Sequence, residues 1–194
     1  MGNLASVAKA LSHLAPQHHV CITSKPEVVI AAERVVLPGQ SAMPETMRAF
    51  HASGLYEATC AARLNKPFFG VCLGMQMLLD HSEEGDTKAL GFIAGKVKKL
   101  QPSQQYKVPH MGWNQVRHFD HPMFNGIAQK EFFYFAHSYC AVPDQPSVTA
   151  ATTSYPDEIA VALAADNLFA VQFHPEKSAQ AGLRLLSNFL HWNP

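Results

Sequence analysis

Pro67-Phe-Phe-Gly-Val-Cys72-Leu-Gly-Met-Gln76 is the most informative stretch of this chain. An apolar run leads into Cys72 and a helix-like run leaves it, with Gly70 and Gly74 two positions to either side. This is the pattern of a nucleophile elbow in which Cys takes the place of Ser. A residue on a sharp strand-to-helix turn has a strained backbone, so its neighbours must be nearly without side chains. The turn lifts the sulfur to the end of the sheet and aims the first amides of the following helix at the same point. Those amides and the helix dipole favour a thiolate and can hold an oxyanion. A lone cysteine is more often structural; the paired glycines and the switch of period argue against that here.

On either side of the elbow, helical and strand-like segments alternate through the first half. Leu4, Val7, Ala8, Leu11 and Leu14 recur at helical spacing, His19–Thr23 is a short strand-like run, and Ser24-Lys-Pro-Glu27 has the form of a capping box. Arg34–Pro38 reads as a buried strand, Pro44–Arg63 as helix with a break near Gly54, Pro67–Val71 as strand and Leu73–His81 as helix. Short apolar strands alternating with helices predict an α/β fold around a parallel sheet. The second half predicts strands over 91–100, 113–118, 131–142 and 148–154. Ile159–Leu163 and Leu168–Phe173 flank a hairpin turn, and a helix covers Ser178–Trp192. No repeat or linker divides the chain, so one domain over residues 1–194 is expected.

Composition narrows the function. The 194 residues are 47% hydrophobic, with 15 Lys+Arg against 15 Asp+Glu. A neutral chain without a basic block is a poor nucleic-acid or acidic-membrane binder. No run nears the roughly 18 apolar residues of a membrane span, and the first residues do not read as a signal peptide. Cys21, Cys60, Cys72 and Cys140 match no zinc or C-x-x-C spacing, so reduced thiols in a cytoplasmic protein are expected.

A thiolate nucleophile needs a base. In Val171-Gln-Phe-His-Pro-Glu176 an apolar strand delivers His174 at its end. Pro175 biases His174 to extended backbone, and Glu176 is near enough to reach one ring nitrogen and leave the other for the thiol. Leu37-Pro-Gly-Gln-Ser-Ala-Met43 ends a strand in Pro-Gly before a helix, and its exposed amides suit the second wall of an oxyanion hole.

The Gly70–Gln76, His174–Glu176 and Pro38-Gly39 motifs together resemble the class I glutamine amidotransferases. Met1–Val7, Pro109-His-Met-Gly-Trp-Asn114, Tyr134-Phe-Ala-His-Ser-Tyr139 and Gln172–Ser178 are similar to the glutaminase subunits of imidazole glycerol phosphate synthases, so the likeness runs from end to end. It implies a flavodoxin-like doubly wound sheet with antiparallel strands added in the second half. It implies Cys72 as nucleophile, His174 as acid–base and Glu176 as its orienting carboxylate. Gly39, Gln40 and the Leu73 amide would form the oxyanion site. Gln76, His137, Ser138 and Tyr139 would lie at the glutamine pocket, and His110, Met111, Trp113 and Asn114 would face a partner. Without the likeness, Trp113 would read as a buried core indole. The implied chemistry needs no metal or cofactor. Glutamine is hydrolysed and its ammonia passes to a (β/α)8-barrel cyclase, in a heterodimer that makes imidazole glycerol phosphate and AICAR for histidine biosynthesis.

The same chemistry could serve another synthase, such as one forming anthranilate or carbamoyl phosphate, and Pro109–Asn114 argues against that. A stand-alone Cys–His hydrolase would act without a partner, and a silent binding module would have no use for an intact Cys72, His174 and Glu176. Two departures from the family carry expectations. Ser41 stands where the usual pattern has a second glycine, and would resist any left-handed backbone there. The chain also opens inside the Met-Gly-Asn-Leu segment, before which relatives carry an apolar strand. Met1 is therefore expected to be an internal methionine of a longer protein, with a gap in the sheet between His19–Thr23 and Arg34–Leu37.

Overall fold

A computed structural model describes residues 2–39 and 41–194. Helices α1 (Gly2–Leu14) and α2 (Pro26–Ala31) precede β1 (Val35–Gly39), followed by α3 (Met43–Ala52), α4 (Leu55–Ala62), β2 (Phe68–Cys72) and α5 (Leu73–Gln76). The chain continues as β3 (His81–Ser82), β4 (Thr87–Lys88), β5 (Gly95–Lys99), β6 (His110–His118), β7 (Glu131–His137) and β8 (Tyr139–Pro143). It closes with β9 (Thr149–Ser154), β10 (Glu158–Ala165), β11 (Leu168–Val171) and α6 (Ala179–His191).

The described strands join in one mixed sheet of order β1-β2-β11-β10-β8-β5-β3-β4, with β6 and β9 joined through β10 and β7 pairing β6. Its centre is parallel: β2 lies between β1 and β11, in registers that set Gly39 beside Cys72 and Val71 beside Val171. Both neighbours bury β2 completely, and its period-2 alternation feeds two cores. Phe69 and Val71 pack with Val7 and Leu11 of α1 and with Leu185, Leu186 and Phe189 of α6. Phe68 faces the other way, to Met43, Met47 and Phe50 of α3 and to Met75. Helices thus cover both faces of the parallel part, while β10, β8 and β5 continue it antiparallel, as expected of the second half. The hairpin over Asp166–Asn167 forms, with Asp166 at φ 51°. The α3–α4 break falls at Gly54, whose φ of 72° suits glycine.

Four local expectations are corrected. His19–Thr23 forms no strand and lies mostly exposed. The gap was expected between two strands, but only Val35–Gly39 is one, and its sole strand partner among the described residues is β2. The helix expected over Leu73–His81 stops at Gln76, because tertiary bonds take the next carbonyls: Leu90 N donates to Met77 O at 2.9 Å and Phe92 N to Leu78 O at 2.8 Å. The capping box at Ser24–Glu27 does not form. Pro26 occupies the first turn, so Lys25 is the cap residue and supplies no side-chain bond.

The tightest approach in the fold is α5 over β1. A Cβ built on Gly74 would stand 1.7 Å from the Leu37 carbonyl oxygen, and one on Gly70 would stand 2.9 Å from the Gly74 oxygen. No side chain fits at Gly74 without moving α5 off the sheet. Gly74→Ala is therefore expected to cost about 3 kcal/mol or more, seen as a collapse of the denaturant midpoint or loss of soluble protein.

Candidate active site

Cys72 ends β2 and begins α5 with φ 58° and ψ −113°, a conformation rare outside glycine. The two adjoining elements hold it there, packed too closely for a Cβ at Gly70 or Gly74. Cys72 is 7% exposed. Gly39 lies beside it in the β1–β2 register, and a Cβ on Gly39 would meet Leu73 Cβ at 2.8 Å. Gly39 and Leu73 are thus brought to the elbow as the sequence suggests, while Gln40 lies outside the described residues. Ser41 is exposed at a bend.

His174 arrives three residues beyond β11, the strand parallel to β2. Its amide donates to Tyr134 O at 2.8 Å, and Ser178 clamps the turn by accepting from Tyr134 N at 3.0 Å and donating to His174 O at 2.6 Å. His174 Nδ1 meets Glu176 Oε1 at 2.9 Å, with the carboxylate fully buried. The remaining ring nitrogen, Nε2, is left for Cys72, one of the two groups whose influence raises the imidazole. Burial is the largest single influence on His174 and acts to lower its pKa. The bonds and charges of Cys72 and Glu176 together overcome it and raise the group to about 9. The arrangement favours imidazolium at neutral pH, placed between two potential anions.

Behind the sulfur runs a chain of amides. Gln172 Nε2 donates to Cys72 Sγ at 3.8 Å; Gln172 Oε1 accepts from Gln76 Nε2 at 2.9 Å; Gln76 Nε2 also donates to Tyr139 O at 3.2 Å. Sequence reasoning missed Gln172. Its signal is a polar side chain next to a strand that is buried along its whole length.

His137, Ser138 and Tyr139 lie where β7 turns into β8, and each has a structural engagement. His137 Nδ1 donates to Tyr139 O at 2.8 Å and its Nε2 faces His110 Nδ1 at 2.9 Å. Ser138 O accepts from Leu100 N at 2.9 Å. His110 departs from expectation: it does not line an outer face but is 3% exposed, stacked between Phe135 and Tyr155 at centroid distances of 4.6 and 3.8 Å. The reason is strand alternation, since on β6 Met111 and Trp113 point outward, 65% and 52% exposed, and His110 points inward. Asn114 is half-buried, donating to Ser154 O at 3.1 Å. Trp113 is therefore not a core indole. With Met111 and the half-exposed Phe132 it forms an apolar surface on the β6–β7 ribbon. No cluster of three or more His, Cys, Asp or Glu side chains suited to a metal occurs among the described residues. No helix among them is long and apolar enough to cross a membrane.

A strained cysteine elbow with a hydrogen-bonded histidine–glutamate pair beside it has the groups that thiol acyl transfer needs, and it coincides with a family match. The model of the class-I glutamine amidotransferases matches residues 3–192, and the chain belongs to that family. Within it, the chain is 50% identical over 202 residues to the imidazole glycerol phosphate synthase subunit HisH of Nitrosomonas europaea. It is 51% identical over 202 residues to that of Nitrosospira multiformis, and both alignments cover 100% of this chain and 95% of the relative. Solved structures share the fold. A crystal structure of a glutamine amidotransferase superposes with a TM-score of 0.75 at 17% identity, over 98% of this chain and 93% of that one. The glutaminase domain of Trypanosoma brucei CTPS with bound acivicin gives 0.66 at 17% identity, over 100% and 89%.

The two buried imidazoles make acid stability a test of the geometry. Burial, and secondarily His137, lower His110 to about 3; burial, and His174, lower His137 to about 4 despite the bond to Tyr139 O, against an ordinary 6.5. The unfolded chain takes up these protons as pH falls through about 6.5 and the folded chain does not, so their stabilisation is complete above that pH and declines toward 3–4. Each imidazole contributes a slope of about 1.4 kcal/mol per pH unit in that window. His110→Phe, which keeps the ring stack, is expected to remove one such contribution, measured by denaturant unfolding between pH 6 and 4.5.

Proposed function

We propose that this chain is the glutaminase of an imidazole glycerol phosphate synthase. It hydrolyses glutamine to glutamate and ammonia and delivers the ammonia to a (β/α)8-barrel cyclase in a heterodimer serving histidine biosynthesis. The observation that carries the reading is the strained Cys72 elbow with the hydrogen-bonded His174–Glu176 pair acting beside it, joined to the full-length likeness to HisH subunits.

The chemistry follows from the groups. The Cys72 thiolate attacks the carboxamide carbon of glutamine, and the carbonyl oxygen takes the negative charge. The Leu73 amide and the Gly39–Gln40 backbone are the donors for that oxyanion. His174, held as imidazolium by Glu176, gives its proton to the departing nitrogen, because an amide anion cannot leave; the C–N bond breaks and a thioester remains. A water molecule then attacks the thioester with His174 taking its proton, and glutamate and the thiolate are released. Gln76 and the His137–Tyr139 turn form the glutamine side of the pocket. None of these steps calls on a metal or cofactor.

Ammonia is nucleophilic only as the neutral base, which bulk water at neutral pH mostly protonates. A synthase therefore gains from a closed route between its two sites. The exposed Met111 and Trp113, with Asn114 beside them, are the partner-facing surface in this reading, since an outward aromatic in an apolar patch is what a protein interface uses. Work in the cytoplasm fits four free thiols.

Cys72→Ala is expected to leave less than about a tenth of the glutaminase activity, in line with loss of a covalent step, while ammonia-dependent synthesis by the assembled synthase persists. The check is an assay with glutamine and with ammonium salt in parallel; retained glutaminase activity would exclude the nucleophile. Cys21→Ala, Cys60→Ala and Cys140→Ala should each affect turnover far less. A glutamine-like electrophile should modify Cys72 alone, read by peptide mass spectrometry.

A further inference from the structure

The side-chain amide of Gln172 is fixed in one orientation by groups remote from the nucleophile. Tyr139 O is a backbone carbonyl held in the β5–β8 ladder opposite Lys99, and it can only accept. The Gln76 nitrogen, not its oxygen, must therefore face it, at 3.2 Å. That same nitrogen meets Gln172 at 2.9 Å, so the Gln172 atom there must be the oxygen. Its nitrogen is then left pointing at Cys72 Sγ, 3.8 Å away. Tyr139 O is itself pinned by His137 Nδ1 at 2.8 Å. His137, neutral in its buried site, accepts at Nε2 from His110 Nδ1 at 2.9 Å. Gln76 and Gln172 are 4% and 0% exposed, so water does not compete for either amide. Reversing Gln172 would set its oxygen against the sulfur and leave the second Gln76 N–H, the one not given to Tyr139 O, without an acceptor, costly in a buried site.

We propose that Gln172 is a further residue of the glutaminase machinery: its Nε2–H donates to Cys72 Sγ, favouring the thiolate over the thiol, and Gln76 and the Tyr139 carbonyl are the positioning groups that keep the donor facing the sulfur. The inference rests on Cys72 being the nucleophile. The sulfur then has a donor in Gln172 besides His174, whose charge acts on it. His174 gives up its proton during turnover, and Gln172 cannot. Gln172 therefore holds the sulfur as an acceptor throughout, including when the thiolate departs from the thioester.

The test is site-resolved alkylation of Cys72 by iodoacetamide across pH in the full chain, with Gln172→Met, Gln172→Glu and Gln76→Met. The titratable groups linked to the sulfur are His174 directly, and Glu176 and His137 through His174; all are kept in the variants and only Gln172→Glu adds a charge, so the difference between the parent and Gln172→Met reads the amide. Gln172→Met is expected to slow alkylation at neutral pH about tenfold and to move the midpoint of its pH profile up by about one unit, as for loss of a hydrogen bond to a charged group. Gln172→Glu, which presents only acceptors, should move it further. Gln76→Met, which frees the amide to turn, should move it less but in the same direction. A merely structural role would lower the melting temperature without moving the midpoint. Should a variant not fold, the side-chain NH2 resonance of Gln172 in the unmodified chain supplies the reading: it should shift as the Cys72 profile is crossed. A folded Gln172→Met with the parent's midpoint, or an unmoved Gln172 resonance, overturns the proposal. Failure of a glutamine-like electrophile to label Cys72 in the parent would instead overturn the reading of the nucleophile itself.

Discussion

The contact on which the site depends is between a backbone oxygen and the absence of a side chain. The Leu37 carbonyl lies where any Cβ on residue 74 would be, so the first turn of α5 rests directly on β1. That closeness leaves too little room for a relaxed connection between β2 and α5. The connection is a single residue, Cys72, at φ 58°. An L-residue resists such backbone by roughly 1–3 kcal/mol, offset here by burial of β2 on both faces and by the two cores it joins. The strain is useful because the same turn that bends the chain presents the sulfur, the Leu73 amide and the end of β1 at one point.

Around that point the electrostatics divide into two regimes. On one side Glu176 is buried with His174, and its second carboxylate oxygen, Oε2, has no hydrogen-bond partner among the described residues. Such a carboxylate is tolerable only beside a cation, which agrees with His174 being raised to about 9. On the other side His110 and His137 are held neutral, and their fixed tautomers pass hydrogen bonds in one direction to the Tyr139 carbonyl. Of these three histidines one is thus favoured as the cation and two are neutral: Cys72 and Glu176 raise His174, while burial lowers His110 and His137.

The antiparallel half of the sheet has two duties. Its inward positions carry His110, His137 and Phe135, which close the site from behind; its outward positions on the β6–β7 ribbon carry Met111, Trp113 and Phe132. Period-2 alternation lets one ribbon serve interior and surface at once, and places an exposed apolar face on the other side of the ribbon from His110 and His137.

Features that depend on neighbours along the chain are legible in the sequence. The elbow, the histidine with a carboxylate two residues on, the Gly54 break and the Asp166–Asn167 turn all follow from local rules of glycine freedom, proline geometry and period. Features that depend on partners far along the chain are settled only by tertiary packing. His19–Thr23 has strand-like residues but gains no ladder, since a strand exists only where another backbone meets its donors and acceptors. Leu73–Gln76 stops short because Leu90 and Phe92 claim the carbonyls a longer helix would need. The burial of His110 depends on which face of β6 the sheet closes against, and periodicity cannot choose between two faces. The orientation of Gln172 is set through Gln76 and a carbonyl 33 residues away in sequence, a hydrogen-bond polarity that no local pattern encodes.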